Sequence, residues 1–139
     1  MLLTRPIKDI RTATPRARII RIDLEGTPFD FIPGQAIWVG VPGDAGRKPY
    51  SIASSPEDVA RDGCLELLVG VDAAGEAGPH LPLVPGTLVN VDGPAGRFTF
   101  PEAPAERRFL FIAGGTGIAP LRSMLRHAVN VPHDVIGLM

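Results

Sequence analysis

Short runs in which apolar and polar residues alternate constrain the first part of this 139-residue chain more than any other feature. Such a period of two is typical of strands that bury one face. Glycine and proline separate the runs, as at Pro33-Gly34 and Pro42-Gly43-Asp44. The alternating runs are residues 20–24, 37–41, 65–71 and 87–91. Because no helical period lies between them, the pattern predicts an antiparallel β-barrel or sandwich.

The pattern changes after residues 101–107, which are rich in proline, alanine and glutamate. Residues 109–113 form a continuous apolar run, which is typical of a strand buried on both faces. A glycine-rich turn and apolar residues at helical spacing from Ile118 to Val129 follow, and then a second apolar run at residues 135–139. We therefore predict one strand–helix–strand unit and a division into domains at residues 1–102 and 103–139.

Two parallel strands and one helix are too few for a stable sheet with both faces covered. We therefore expect the second unit to be incomplete, and the chain to be a fragment or a shortened form. The apolar residues of both strands would remain exposed. Self-association through this end of the chain is the expected consequence.

Residues 47–56 bring a cation, an aromatic ring and hydroxyl groups together in one extended segment. The guanidinium of Arg47 suits a phosphate, Tyr50 offers a flat face, and Ser51 can donate and accept hydrogen bonds. Strand alternation places Tyr50 and Ser51 on opposite faces. A ligand with a phosphate and a flat heteroaromatic ring would use all three residues. The alternative is an edge strand with a solvated arginine and a half-buried tyrosine.

The segment Arg47-Lys48-Pro49-Tyr50-Ser51 resembles the Arg-x-Tyr-Ser flavin-binding signature of the ferredoxin–NADP reductase superfamily. Three other stretches agree with that family in order and spacing. They are Pro33-Gly34-Gln35, Gly93-Pro94-Ala95-Gly96-Arg97-Phe98 and Gly114-Gly115-Thr116-Gly117-Ile118-Ala119-Pro120. The resemblance implies a mainly β fold: a flavin-binding, antiparallel Greek-key β-barrel, followed by the incomplete start of an NAD(P)-binding α/β domain.

The resemblance also implies a function and a set of site residues. The expected function is electron transfer between NAD(P)H and an acceptor through FAD, with FMN as the less favoured flavin. Arg47 would pair with the flavin phosphate, Tyr50 would pack against the ring or ribityl chain, and Ser51 would lie near N5. The implied flavin contacts are Arg47, Pro49, Tyr50, Ser51, Ile52, Gly70, Gly75, Gly78 and Thr116.

The turn Gly115-Thr116-Gly117 would face the nicotinamide nucleotide, so that Tyr50, Ser51 and Thr116 lie closest to the redox chemistry. Residues 71–85 would hold the flavin diphosphate, where the family commonly has Gly-x-x-Ser. This chain has Gly75-Glu76-Ala77-Gly78 and then a proline without an N–H, so its diphosphate contacts differ. His80 would contact a phosphate if protonated; the alternative is a solvated surface histidine.

Composition excludes several classes of protein. A net charge of −1 gives no reason to expect a nucleic-acid partner. The single cysteine, Cys64, excludes an internal disulfide and an iron–sulfur cluster, and it favours a reducing compartment. No apolar run is long enough to span a membrane and no histidine cluster suggests a metal, so we expect a cytoplasmic protein. Cys64 is interpreted as an inert, outward-facing thiol, and Trp38 as a core residue or a subunit contact.

The electron acceptor, a protein or a small molecule, cannot be read from these residues. Two alternatives to the enzyme remain open. One is a non-catalytic flavin-binding or electron-relay subunit whose partner supplies the nucleotide site. The other is a barrel without a cofactor that serves as an interaction module.

Overall fold

A computed structural model describes residues 1–43 and 46–139. Six strands form one antiparallel sheet in the order β4-β3-β6-β1-β2-β5. They are β1 (Leu2–Thr14), β2 (Ala17–Asp23), β3 (Ala36–Gly40), β4 (Lys48–Ser51), β5 (Cys64–Gly70) and β6 (Leu88–Ala95). The predicted turn at Pro42-Gly43-Asp44 lies partly outside the described residues. The order of the strands agrees with the predicted antiparallel fold of the first domain.

The two edge strands of the sheet meet at one point. Ile52, just after β4, forms an isolated bridge with Leu67 of β5, and the Ala53 N–H donates to the Glu66 carbonyl at 2.8 Å. The sheet thus curls around a single apolar core. The fully buried aliphatic residues of this core are Ile7, Ile20, Ile22, Ile37, Val39, Ile52, Leu65, Leu67, Val69, Leu81, Val89 and Val91.

A short helix, α1 (Pro56–Asp62), interrupts the strands, which the absence of a helical period had not predicted. The Ser55 hydroxyl accepts from the Asp58 N–H at 3.1 Å, and the Asp58 carboxylate accepts from the Ser55 N–H at 2.9 Å. This capping box satisfies two amides at the start of the helix. Gly63, with a φ of 71°, ends it. Seven residues are too few to show a period, but the Ser-Pro-Glu-Asp start was present in the sequence.

The C-terminal residues form the predicted strand–helix–strand unit. It consists of β7 (Arg108–Phe111), a 3₁₀ turn (Gly115–Gly117), α2 (Ile118–Ala128) and β8 (Val135–Leu138), with β7 and β8 parallel. Phe111 packs beneath Leu121 and Met124 of α2. The expectation that residues 109–113 are buried on both faces is wrong for this chain, because Leu110 is 64% exposed and Ile112 is 66% exposed. Only one face of the sheet is covered by the helix.

Helix α2 packs against the barrel close to the point where β4 and β5 meet. Arg122 donates to the Ala53 carbonyl at 2.7 Å and to the Glu66 carboxylate at 2.8 Å. The Ser123 hydroxyl donates to the Ser54 carbonyl at 2.7 Å. These contacts hold the start of the C-terminal unit against the outer face of β5. Across the described residues, no helix has the length and apolar character needed to cross a membrane.

Two interpretations of single residues need correction. Trp38 is not a core residue, since it is 46% exposed on the outer face of β3. Cys64 begins β5 and is only 2% exposed, so it does not face solvent. Burial raises the pKa of the Cys64 thiol, which agrees with the predicted inert character.

Candidate functional site

Strand β4 presents the signature residues on two faces. Tyr50 pairs with Ile37 of β3, whereas Ser51 pairs with Ala36. Ile37 is fully buried, so Tyr50 lies on the core side of the sheet and Ser51 on the outer side. The prediction that the two side chains point to opposite faces is confirmed. A ligand that touches both must therefore reach around the edge of β4, where it faces β5.

The ring of Tyr50 is held by His80. The Tyr50 hydroxyl and His80 Nε2 are 2.7 Å apart, and the two rings are nearly parallel, with centroids 6.0 Å apart and planes at 9°. His80 is 3% exposed, so the alternative of a solvated surface histidine is wrong. Burial raises the pKa of the Tyr50 phenol. The phenol therefore stays protonated around neutral pH, with its ring half-buried and its hydroxyl fixed.

The cation of the signature lies one residue later than the sequence match assumed. Two residues separate Arg47 from Tyr50, whereas Arg-x-Tyr-Ser has one, so Lys48 occupies the position of the arginine. Arg47 precedes β4 and its guanidinium lies 3.3 Å from the Asp92 carboxylate. Lys48 is exposed and shares the face of Tyr50 by alternation. Within the described residues Lys48 forms no ion pair, so its charge is available to a ligand.

Two hydroxyl groups from distant parts of the chain lie by the outer face of β5. The Ile52–Leu67 bridge places Ser51 at the level of Leu68. Thr116 and Leu68 line one groove of about 420 Å³, and Thr116 Cγ2 would be 4.0 Å from a Cβ added at Gly70. Among the residues that the structure describes, neither the Ser51 nor the Thr116 hydroxyl has a hydrogen-bond partner. Both can therefore bind a ligand without breaking a protein contact.

The glycines of the predicted nucleotide turn form the 3₁₀ turn before α2. The Gly117 N–H donates to the Gly114 carbonyl at 3.1 Å, and Gly115 has a φ of 56°, which glycine adopts without strain. All three residues of Gly115–Gly117 are exposed. The turn thus presents Thr116 at the surface beside β5.

One of the predicted flavin contacts, Ile52, has restricted access, whereas Pro49 and Gly70 do not. The Ile52 side chain is fully buried and its N–H donates to the Gln35 carbonyl at 3.0 Å. Contact with a ligand could therefore come only through its carbonyl group. Pro49 pairs with Trp38 and lies on the outer face, like Ser51. Gly70, at the exposed end of β5, remains accessible.

The loop at residues 72–80 folds around Asp72 rather than presenting a helix start. The Asp72 carboxylate accepts from the N–H groups of Ala74 and Glu76, and its carbonyl accepts from the Gly75 N–H. The amides of Ala77 and Gly78 have no partner within the described part of the chain. Gly75 and Gly78 have φ values of 81° and 124°. Glycine is favoured at Gly78 by its φ of 124°, and a Cβ there would also lie close to His80 Nδ1, at 3.2 Å.

Sequence reasoning missed Lys48 and considered His80 only as a phosphate contact or a solvated residue. Lys48 could have been found by counting the spacing of the signature. The contact of His80 with Tyr50, 30 residues away, could not, because it depends on how the loop crosses the barrel.

Comparisons with known proteins identify the domain families that this chain matches. The profile of the oxidoreductase FAD-binding domain matches residues 5–100, and that of the oxidoreductase NAD-binding domain matches residues 111–137. The ferredoxin–NAD(+) reductase component of an alkene monooxygenase system from Xanthobacter autotrophicus is 39% identical over 116 residues. That match covers 81% of this chain and 34% of the relative. Ferredoxin–NADP reductase B from Sorangium cellulosum is 38% identical over 128 residues, or 87% of this chain and 50% of the relative.

Solved structures show the same architecture. The cytochrome P450 reductase GcoB of Amycolatopsis aligns with 99% of this chain and 43% of its own at a TM-score of 0.78 and 30% identity. A ferredoxin reductase in carbazole 1,9a-dioxygenase aligns with 99% of this chain and 41% of its own, at a TM-score of 0.84 and 22% identity, which shows the fold alone. The chain thus spans half or less of these proteins. With a matching flavin-domain profile over most of its length, the chain belongs to the ferredoxin–NADP reductase superfamily.

Proposed function

We propose that the protein represented by this chain transfers electrons between NAD(P)H and an acceptor through FAD. The observation that carries the proposal is the placement of Ser51 and Thr116. Ser51 belongs to the barrel and, next to the Ile52–Leu67 bridge, stands at the level of Leu68, whereas Thr116 belongs to the second unit and lines a groove with Leu68. Neither hydroxyl has a hydrogen-bond partner among the described residues. Such a junction of two units suits a reaction between a cofactor held by one and a nucleotide held by the other.

The residues present fit a flavin dinucleotide. Tyr50 provides an aromatic face with a fixed orientation, and Ser51 provides a free hydroxyl. Lys48 and the free amides of Ala77 and Gly78 suit the negative charge of a diphosphate. Because Asp72 uses the neighbouring amides, we propose Lys48 as the main phosphate contact and assign Arg47 to the pair with Asp92.

FAD, when bound, would supply the redox chemistry that amino-acid side chains lack. Ser51 can donate to an acceptor atom at the ring, since its hydroxyl has no partner within residues 1–43 and 46–139. Thr116 and the exposed turn Gly115–Gly117 would orient the nicotinamide nucleotide. The Arg122 contacts to Ala53 and Glu66 hold this turn at a constant position relative to β4.

The acceptor is proposed from the relatives. The Xanthobacter protein is a reductase component of an oxygenase system, so we propose a protein electron acceptor for this protein as well. The domain limits at residues 102 and 103, the cytoplasmic location and self-association through the exposed residues of β7 and β8 also remain proposals.

The visible absorption spectrum of the purified chain, after incubation with FAD and gel filtration, tests the flavin site. We expect flavin bands that elute with the protein and that weaken in the Ser51→Ala and Lys48→Met variants. A protein that retains no flavin would refute a working site. Anaerobic addition of NADH or NADPH then tests the nucleotide step. Fast bleaching of the bound flavin supports the enzyme over the electron-relay alternative and contradicts the expectation that the second unit is incomplete, whereas flavin that binds and stays oxidised agrees with that expectation.

A further inference from the structure

We propose that His80 is a positioning residue that sets the orientation of the Tyr50 ring for the flavin. This inference rests on the proposed function, because it concerns the same site. It adds a role for a residue outside the signature, on the loop that crosses the end of the barrel. The evidence is the 2.7 Å contact between the Tyr50 hydroxyl and His80 Nε2, together with the 9° angle between the two ring planes.

The backbone around His80 makes it a rigid support. Its carbonyl accepts from the Val41 N–H at 3.0 Å, which ties the loop to the end of β3. The next residue, Leu81, is fully buried in the core, and its N–H donates to the Gly78 carbonyl at 3.2 Å. The His80 backbone therefore cannot move without moving residues of the core, and its imidazole is enclosed because the residue is only 3% exposed.

Tyr50 needs such a support because β4 lies at the edge of the sheet. Its ring is only half-buried, so packing alone leaves rotamer freedom that ligand binding would have to remove. The hydrogen bond at the far end of the ring restrains the first side-chain torsion, and packing parallel to the His80 ring, at 9°, restrains the second. A flavin then meets an aromatic face that is already in place, and binding is tighter because less ordering is needed.

Affinity measurements with FAD and FMN test the idea. His80→Phe keeps an aromatic ring but removes the hydrogen bond, and Tyr50→Phe removes the same bond from the other side. We expect each variant to bind FAD about fivefold more weakly, as for the loss of one neutral hydrogen bond. The double variant should be no weaker than either single one, because both remove one interaction. His80→Gln, which retains an acceptor, should recover part of the affinity.

Comparing the affinities for FMN and FAD distinguishes an effect of His80 through the Tyr50 ring from an effect of its loop on the dinucleotide portion of FAD. An effect through Tyr50 lowers the affinity for FMN and for FAD by the same factor. A loss for FAD alone would mean that His80 acts on the dinucleotide portion, and would overturn the inference. Additive losses in the double variant would also overturn it.

The hydrogen bond of Tyr50 can be observed directly by NMR, because the chain contains one tyrosine. Labelling with [13Cζ]-tyrosine should give a single NMR signal, whose position moves in His80→Phe and returns towards its original value in His80→Gln. An unchanged signal would show that no hydrogen bond exists. Should His80→Phe fail to fold, as judged by circular dichroism, Tyr50→Phe and His80→Gln carry the test.

The failures of the two proposals differ. Wild-type protein that binds neither flavin refutes the proposed function and this inference with it. Wild-type protein that binds flavin, with His80→Phe binding equally well, refutes this inference only.

Discussion

Replacing Asp58 with asparagine should loosen the packing of helix α2 on the barrel. Asp58, at the start of α1, accepts two hydrogen bonds from Arg126 of α2, at 2.5 Å and 2.7 Å. The Asp58 side chain is 10% exposed, whereas that of Arg126 is 41% exposed. Removing one partner of a fully buried pair costs about 3–5 kcal/mol. Because water can solvate Arg126 after the change, we expect about 2–3 kcal/mol of stability to be lost.

Urea unfolding of the wild type and Asp58→Asn, analysed by linear extrapolation, measures this difference. Asp62→Asn is the matched control: the Asp62 carboxylate pairs only with the exposed Arg61 in the described structure, so we expect a change below about 0.5 kcal/mol. An Asp58→Asn variant as stable as this control would refute the reasoning that the pair joins the two units.

The Asp58–Arg126 pair also predicts how the stability of the fold depends on pH. Hydrogen bonds from Arg126 hold the pKa of the Asp58 carboxyl well below its usual range, despite the opposing effect of burial. Because the pKa of Asp58 is lowered in the folded state, its stabilising effect is complete at pH values above the unfolded-state pKa of about 3.9. The effect is lost progressively as the pH falls below that pKa. The difference between wild type and Asp58→Asn should therefore be constant from pH 7 to about pH 5 and shrink below about pH 4. A constant difference down to pH 3 would contradict the assignment.

Four further predictions concern other parts of the chain. Lys48→Met should weaken FAD binding at least tenfold, because a charge-assisted contact is worth about 1.5–3 kcal/mol. Arg47→Met should weaken binding less in the same titration. If Arg47→Met had the larger effect, Arg47 and not Lys48 would be the phosphate contact. Gly34→Ala should destabilise the fold by about 3 kcal/mol or more, because φ is 107° and the added Cβ would lie 2.1 Å from the Phe98 carbonyl oxygen. The control in thermal unfolding is Gly114→Ala, since a Cβ at Gly114 has no atom within 4 Å. Equal melting temperatures of the two variants would contradict this geometry. Cys64 should not react with a thiol reagent at pH 8 until the protein unfolds, since burial raises its pKa; rapid labelling of native protein would show that β5 is exposed. Sedimentation at increasing concentration should show association that Leu110→Lys reduces, and a monomer throughout would exclude association by this end of the chain.

Much of the fold could be predicted from local pattern. The alternation at Ile20, Ile22 and Leu24 already marks the core side of a strand, because successive side chains of a strand point to opposite faces. The strand–helix–strand unit was equally readable, since the spacing of Ile118 and Leu121 reflects the helical repeat. Helix α1 was not predicted, because it is marked in the sequence by the cap at Ser55 and not by a helical period of apolar residues.

The candidate site could be predicted from the sequence only in part. Residue type and turn geometry are local properties, so the chemistry available at Tyr50, Ser51 and the turn Gly115–Gly117 follows from the sequence alone. Three contacts of the site depend on tertiary structure: the meeting of the two edge strands at Ile52 and Leu67, the burial of His80 against Tyr50, and the contact of Arg122 that holds α2 against β5. These contacts join residues 15 to 56 positions apart. Their formation depends on the path of the whole chain, which no local pattern encodes.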